Sequence, residues 1–158
     1  MTILAWSDAL ALDHPQMDTT HQEFVALVGA VERALAGPTD ALLTIYDELV
    51  NHTVEHFAQE DRWMLASGFA PENCHTNQHG QVLAVLREVG RLAREEGKPE
   101  TIGQLLPELA RWFEHHAQTV DAGLASHLDS VGFNVATGQP ARLPEAALSG
   151  CGSQTCST

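Results

Sequence analysis

Four amphipathic stretches dominate the pattern of hydrophobic and polar positions along the chain. In the first of them, Phe24, Val28, Val31 and Leu35 recur at intervals of three and four residues, which is the period of one face of an α-helix. A Gly-Pro pair then ends this stretch. Each of the other three stretches has the same helical period. The four predicted helices cover about residues 18–36, 40–68, 74–97 and 103–130.

Polar residues indicate where two of these helices begin. Asp18 is a suitable N-cap for the first helix. In the fourth helix, Thr101 and Gln104 have the spacing of a capping box, although Pro107 would then lie inside the helix. The start of the fourth helix is therefore less well defined than its inner stripe.

The predicted fold is all-α, because no segment shows the alternation that is typical of a β-strand. Four amphipathic helices joined by short loops predict an antiparallel up-and-down four-helix bundle with an N-terminal arm. Residues 134–158 are rich in Gly, Ser, Thr, Pro and Ala, so we expect a flexible C-terminal tail. The expected domains are a bundle over residues 1–133 and a low-complexity, cysteine-containing tail over residues 134–158.

The charge of the chain excludes several classes of partner. Eight Lys and Arg residues against 21 Asp and Glu residues give a formal net charge of −13. Nucleic acids and anionic membranes would repel such a chain, and neither is expected as a partner. No apolar run approaches the roughly 18 residues of a membrane-spanning helix, and the N-terminus does not resemble a signal peptide. The sequence therefore predicts a cytoplasmic protein.

Histidine is unusually frequent, with nine copies in 158 residues. His56 and Glu60 are four residues apart, and so are His75 and His79. At about 100° per residue, four positions return to within about 40° of the starting direction. Both members of each pair should therefore point from the same side of their helix into the bundle.

Two more histidines lie on apolar stripes, and an aspartate follows the second of them. His21 belongs to the inner stripe of the first helix and His116 to that of the fourth, whereas His115 falls on the polar face. Asp121 comes five residues after His116, which is about 140° round a regular helix. An inward Asp121 therefore requires a local distortion of the helix or a reach across from its edge.

These inward donors predict a metal site. Burying five imidazoles and two carboxylates without a cation would be strongly unfavourable, because each group would lose its hydration. The absence of a thiolate excludes a zinc site of the cysteine type, and seven donors exceed what one first-row ion takes. A dinuclear iron or manganese centre fits best. The predicted ligands are His21, His56, Glu60, His75, His79, His116 and Asp121.

The same residues resemble the hemerythrin family, in particular its single-domain bacterial members. The matching motifs are D-x-x-H at Asp18, H-F-x-x-E at His56, H-x-x-x-H at His75 and W-x-x-x-H-x-x-x-x-D at Trp112. The last motif contains the five-residue step of the fourth helix. The resemblance covers about residues 4–133, which is the whole predicted bundle.

The resemblance implies a centre of two iron ions with an oxo or hydroxo bridge. Three histidines would bind one iron, namely His75, His79 and His116. Two histidines would bind the other iron and leave one position open for dioxygen, namely His21 and His56. Two carboxylates would bridge the metals, namely Glu60 and Asp121.

Three residues near the motifs depart from the family pattern or have no role in it. His52 stands where the family often has an aromatic residue, and we expect a hydrogen-bonded inner histidine, with tuning of the metal as the alternative. Asp61 stands where a second glutamate is common, and we expect a solvated helix residue. Cys74 is expected to be a small buried residue.

The remaining two cysteines lie at the end of the chain. The C-x4-C spacing of Cys151 and Cys156 is not a strong metal-binding or redox motif. We expect both to lie in a disordered end and to be free thiols in a reducing cytosol. A redox-switchable disulfide or an auxiliary metal clip is the alternative.

Three functions are compatible with this centre. The leading hypothesis is reversible binding of dioxygen by a non-enzymatic carrier, store or sensor. The alternatives are a di-iron enzyme that reduces peroxide or oxygen, and a cation-binding module that handles iron itself. The imidazole-rich donor set favours binding, because carboxylate-rich sites are typical of oxygen-activating di-iron enzymes. We expect a monomer or weak homo-oligomer, with an unidentified redox partner.

Overall fold

The computed structural model describes residues 2–150 of the chain and shows a bundle of helices. The helices are α1 (Pro15–Ala34), α2 (Thr39–Ala66), α3 (Cys74–Glu95), α4 (Glu100–His116) and α5 (Ala122–Ser130). A π-helix, Ala117–Asp121, joins α4 to α5, so that these three elements form the fourth rod of the bundle. Each rod packs against its neighbours in a ring. The predicted all-α four-helix bundle is confirmed, and residues 2–150 contain isolated β-bridges but no strand.

The start of α1 differs from the prediction by three residues. Pro15 is the first helical residue, where its fixed φ angle and missing N–H cause no loss. The N-cap is His14, whose Nδ1 accepts a hydrogen bond from the Met17 N–H at 3.3 Å. Asp18, the predicted N-cap, instead accepts a hydrogen bond from the Leu12 N–H at 2.8 Å. Asp18 therefore fastens the N-terminal arm to α1.

The fourth rod also begins earlier than its capping-box pattern predicts. The first helical residue is Glu100, and the Thr101 hydroxyl donates to the Lys98 carbonyl oxygen at 2.7 Å. Pro107 lies inside α4 on its exposed side, where water can replace the hydrogen bond that proline is unable to donate. The capping-box assignment of Thr101 and Gln104 is therefore wrong.

The buried apolar side chains form two clusters that follow one another along the bundle. On α1, the smaller cluster contributes Met17 and the larger cluster contributes Phe24. On α2, the larger cluster contributes Leu49 and the smaller contributes Trp63. The inward positions from Met17 to Phe24 on α1 and from Leu49 to Trp63 on α2 therefore lie in a layer, with one water-excluding cluster on each side of it. None of the helices within residues 2–150 has the length and apolar composition needed to cross a bilayer.

The described part of the C-terminal segment rests on the loop between α2 and α3. The Leu148 N–H donates to the Gly68 carbonyl oxygen at 3.0 Å, and the Ala70 N–H donates to the Leu148 carbonyl oxygen at 2.7 Å. The Cys74 N–H donates to the Ser149 carbonyl oxygen at 3.1 Å. The composition of the segment predicts flexibility but carries no signal for these hydrogen bonds, because they depend on where the loop lies.

Candidate metal centre

The seven predicted donors lie in one layer between the two apolar clusters. All four rods of the bundle contribute to this layer, and each of the seven residues exposes 5% or less of its surface. For all of them except Asp121, the inward direction follows from the helical period, because each donor occupies the stripe that the apolar residues continue above and below it. The seven residues are His21, His56, Glu60, His75, His79, His116 and Asp121.

The π-helix brings Asp121 onto the inner face of the fourth rod. The π-helix spans Ala117–Asp121 and directly follows His116, the last residue of α4. A π-turn accommodates one extra residue, so a residue five positions along the chain returns to nearly the same side. Asp121 is fully buried as a result. The structure thus contains the local distortion that the five-residue step requires.

The donor atoms form two adjacent groups that share both carboxylates. Within each group, one donor atom from every residue lies within 4.8 Å of the others. The three-histidine group contains His75, His79 and His116. The two-histidine group contains His21 and His56. Both groups include Glu60 and Asp121, so these two side chains lie between the two sets of imidazoles.

Asp121 directs a different oxygen to each group. Its Oδ1 lies 3.0 Å from the Nε2 atoms of both His75 and His116. Its Oδ2 lies 3.1 Å from the Nε2 of His21. The carboxylate therefore faces the three-histidine group with one oxygen and the two-histidine group with the other, which is the arrangement of a bridging ligand.

Glu60 is divided in the same way. Its Oε1 lies 2.9 Å from the Nε2 of His56, in the two-histidine group. Its Oε2 lies 3.4 Å from the Nε2 of His75 and 3.3 Å from that of His79, in the three-histidine group. Glu60 and Asp121, which belong to different rods, therefore each direct one oxygen to the three-histidine group and the other oxygen to the two-histidine group.

Several of these buried polar atoms have no hydrogen-bond partner within residues 2–150, although they face one another. They include the Nε2 atoms of four imidazoles and three carboxylate oxygens. Buried polar atoms without partners are rare, because each loses its hydration without compensation. A cation between them would remove that cost, so the donor set fits metal ions. The atoms are Nε2 of His21, His75, His79 and His116, Oε2 of Glu60, and both oxygens of Asp121.

The imidazoles keep both carboxylates ionised despite their burial. Burial opposes ionisation of Glu60, but His56 and the imidazoles around it hold its pKa well below the usual range. Burial and the nearby Glu60 charge oppose ionisation of Asp121, yet its imidazole neighbours also hold its pKa well below the usual range. Burial opposes protonation of the imidazoles, but the two ionised carboxylates beside them outweigh it and raise the pKa of His21 to about 10 and that of His75 to about 9.

Two ligand candidates are held from outside the layer by residues of α2 and α3. Asp61 Oδ1 accepts a hydrogen bond from the His79 Nδ1 at 2.8 Å, and Gln78 Oε1 accepts one from the His116 Nδ1 at 2.8 Å. The expectation that Asp61 is only a solvated helix residue is therefore wrong. The sequence prediction missed Gln78, because its contact crosses from α3 to α4 and no spacing within one helix reveals it.

Aromatic rings close the layer around the three-histidine group and beside His21. Phe57 stacks on His79 with ring centroids 3.9 Å apart and an interplanar angle of 4°. Trp112 stacks on His116 at 4.4 Å and 22°. Phe113 contacts His21 edge-on at 5.3 Å. These contacts fix the planes of the imidazoles and exclude water from them.

His52 lies beside the two-histidine group but its hydrogen bond points away from it. Its Nε2 lies 3.0 Å from Glu23 Oε2 on α1, and 18% of its side chain is exposed. Its ring centroid is 6.1 Å from that of His56. His52 is hydrogen-bonded, as expected, and it is absent from both donor groups.

The remaining histidines and Cys74 lie outside both donor groups. His115 is exposed, in agreement with the predicted helix phase. His127 Nε2 lies 2.9 Å from the Ser67 carbonyl oxygen, which ties α5 to the end of α2. Cys74, expected to be only a small buried residue, is half-buried and disulfide-bonded. The other two cysteines of the chain, at positions 151 and 156, lie outside the described residues.

Comparison with known proteins decides the family. Residues 13–128 match the family model described as "Hemerythrin HHE cation binding domain". This range covers most of the chain and contains all seven donors. The chain belongs to the hemerythrin family.

Individual hemerythrins also match over most of their length. The chain is 38% identical to a bacteriohemerythrin of Ralstonia nicotianae over 128 residues, which are 81% of this chain and 90% of that protein. It is 29% identical to a bacteriohemerythrin of Pseudomonas paraeruginosa over 125 residues, 78% of this chain and 80% of that protein. A bacteriohemerythrin of Stenotrophomonas maltophilia is 25% identical over 129 residues, 81% and 83% of the two chains.

Membership in the hemerythrin family agrees with the geometry. The family description names cation binding, and the structure contains a buried cluster of histidine and carboxylate donors within the matched residues. The resemblance deduced from the motifs is therefore confirmed at the level of the family.

Proposed function

We propose that this chain binds two iron ions with the seven residues of the layer and uses them to bind dioxygen reversibly. One observation carries the proposal. Glu60 and Asp121 each direct one oxygen to the three-histidine group and the other to the two-histidine group. Carboxylates that face two adjacent sets of imidazoles are suited to bridging two metal ions. Imidazole together with carboxylate is a suitable donor set for iron.

The two proposed metal positions are unequal in their protein donors. The three-histidine group and the shared carboxylates offer five donors, whereas the two-histidine group offers four. The position with fewer protein donors leaves more room for an external ligand. When bound there, iron would supply the coordination site and the electrons for dioxygen, and an oxo or hydroxo bridge would complete the centre.

The chain supplies an apolar surrounding for the two-histidine group. His21 lies against the edge of Phe113, and Phe113 stacks on Phe24 at 4.5 Å. All three side chains are buried. Dioxygen is apolar and enters such a surrounding easily, whereas water and anions do not. This wall would therefore favour dioxygen over polar competitors at the open position.

The residues around the layer favour binding over oxygen-activating catalysis. Cleavage of dioxygen needs further electrons, which an oxidisable side chain beside the metals could donate. The one tyrosine of the chain, Tyr46, is buried elsewhere and donates its hydroxyl to the Leu86 carbonyl oxygen at 2.7 Å. Neither donor group contains a cysteine or tyrosine. We therefore place the carrier, store or sensor role ahead of a peroxide- or oxygen-reducing enzyme and of an iron-handling module.

We also propose the setting in which the protein works. The formal net charge of −13 supports the absence of nucleic acid and anionic membrane partners. We expect a cytoplasmic monomer or weak homo-oligomer, with an unidentified redox partner that returns an oxidised centre to the ferrous state. Residues 1–133 would form the binding domain, and residues 134–158 would be dispensable for metal binding.

Metal analysis together with an oxygen electrode tests the proposal. The protein is loaded with ferrous iron under argon, desalted, and assayed for iron per chain and for oxygen uptake. We expect two irons and one dioxygen per chain, with most of the dioxygen released on return to argon. Uptake without release would favour an enzyme, and two irons without any uptake would favour an iron-handling module.

A further inference from the structure

The three-histidine group is supported by hydrogen bonds on the outer side of its imidazoles. His79 Nδ1 is 2.8 Å from Asp61 Oδ1, and His116 Nδ1 is 2.8 Å from Gln78 Oε1. In both cases the acceptor is an oxygen, so Nδ1 carries the proton and donates. In the neutral imidazole the Nε2 atom is then unprotonated and can bind a metal ion, and in both rings it faces the shared carboxylates.

The two-histidine group has no such support within residues 2–150. The Nδ1 atoms of His21 and His56 are buried and have no hydrogen-bond partner there. The Nδ1 of His75, in the three-histidine group, is also buried and has no hydrogen-bond partner within these residues. The support is therefore confined to two imidazoles, and both belong to the three-histidine group.

A carboxylate on the outer nitrogen changes what an imidazole can do. The hydrogen bond fixes the tautomer and the ring orientation, and it raises the electron density on the metal-facing nitrogen. Asp61 lies next to Glu60 on α2, so one helix supplies both a shared carboxylate and the acceptor for His79 on α3. Phe57, also on α2, stacks on the same ring. His79 is therefore held by α2 at its outer nitrogen and over one face.

We infer that Asp61 and Gln78 are positioning residues that make the three-histidine group the tighter of two metal positions and the one that holds the more oxidised ion. This inference rests on the proposed function, because it requires that two metal ions bind. Asp61 acts through His79 and Gln78 acts through His116. The two-histidine group lacks these contacts and would bind its ion second.

Cobalt(II) titration of the metal-free protein tests the order of binding, because cobalt reports each coordination step by its visible absorption. We expect two resolved steps in the unmodified chain. Asp61→Asn keeps an oxygen acceptor for His79 but removes its charge, and it should weaken the first step about 10-fold or more while leaving the second unchanged. Gln78→Leu should also weaken the first step.

Two further variants separate this role from a general effect of charge. Glu55→Gln removes one negative charge from an exposed position of the same helix and should leave both steps unchanged. Asp61→Glu keeps the carboxylate and should restore most of the first-step affinity. In iron-loaded protein, Asp61→Asn should raise the midpoint potential of the first one-electron oxidation, a change that loss of packing alone would not produce.

The outcomes distinguish this inference from the proposed function. An unchanged first step in Asp61→Asn, or equal losses in Asp61→Asn and Glu55→Gln, would overturn the role of Asp61. Fewer than two cobalt ions per unmodified chain would overturn the two-metal proposal instead. A weakened first step together with an unchanged second step supports both.

Discussion

Asp121 follows His116 by five residues, and the π-helix between them brings the Asp121 Oδ1 within 3.0 Å of the His116 Nε2. In a regular α-helix the same step would turn the carboxylate about 140° away from the imidazole. The irregular turn therefore positions a shared carboxylate, and regular helix continues on both sides of it. Local distortions of this kind are frequent at functional sites.

His115 and His116 are adjacent but point to opposite environments, so their substitutions should have different effects. His116→Ala removes a buried donor of the three-histidine group, whereas His115→Ala removes an exposed ring outside both groups. The first variant should retain markedly less than two irons per chain, and the second should retain two. Metal analysis after ferrous loading and desalting measures both. Equal losses would show that the inward direction of His116 is not what holds the metal.

The raised pKa values of His21 and His75 predict how the stability of the metal-free protein depends on pH. Their folded-state pKa values of about 10 and about 9 exceed the unfolded value of roughly 6.5. The metal-free fold therefore binds more protons than the unfolded chain in this range. The two histidines make their full contribution to the free energy of unfolding below about pH 6.5, and this contribution is lost as the pH rises through 9 and 10.

Denaturant unfolding between pH 7.5 and 9.5 measures this dependence. The free energy of unfolding of metal-free protein should fall by up to about 1.4 kcal/mol per pH unit for each extra proton. Metal-loaded protein should show a much flatter profile, because coordinated imidazoles carry no proton on the metal-facing nitrogen. His21→Gln should also flatten the metal-free profile. A steep fall that persists in the metal-loaded protein would contradict this origin.

The sequence predicts contacts within one helix, but it does not predict contacts between helices. The spacing of His56 and Glu60 predicted their common direction, because the helical period alone determines it. For the same reason the step to Asp121 predicted either a local distortion or a reach from the helix edge, and the structure contains the distortion. The hydrogen bond from His79 to Asp61 was not predicted, since it depends on how far α2 and α3 are shifted along each other.

The C-terminal segment illustrates the same limit. The composition of this segment indicated little intrinsic structure. It carries no information about the loop between α2 and α3, which provides the hydrogen-bond partners. Gly68 in that loop has a positive φ of 106°, and a Cβ there would lie 2.5 Å from Pro144. The loop and the segment therefore fit closely, a relation that no residue pattern in either one contains.

Truncation after Ala136 tests the role of this segment. The shortened chain loses three backbone hydrogen bonds between residues 148–149 and residues 68–74, and the two that Ala141 and Arg142 donate to the Val131 carbonyl oxygen. It also loses the disulfide of Cys74, because no other cysteine precedes the cut. At roughly 1 kcal/mol for each hydrogen bond and about 2–4 kcal/mol for the disulfide, the melting temperature should fall by about 15 °C or more. Iron content should remain two per chain, because all seven donors precede the cut. Loss of iron from the folded truncated protein would show that the segment contributes to the metal site.

The disulfide at Cys74 gives a separate prediction. A disulfide typically stabilises a folded chain by about 2–4 kcal/mol, so a thiol reductant should lower the melting temperature of the unmodified protein. Cys74→Ser should have the lower melting temperature from the start and should not respond to the reductant. An unmodified protein whose melting temperature is the same with and without reductant would contradict a stabilising bond. Peptide mapping without reduction identifies the partner cysteine.

The visible spectrum of iron-loaded protein during cycles of air and argon tests the central claim most directly. Reduced protein under argon should show little visible absorption. Air should produce an intense charge-transfer band, and argon should remove it over at least several cycles, because on the proposed function the two-histidine position would bind dioxygen without consuming it. His115→Ala should behave in the same way, and His116→Ala should give no band. Irreversible oxidation in the first cycle with turnover of peroxide would contradict reversible binding.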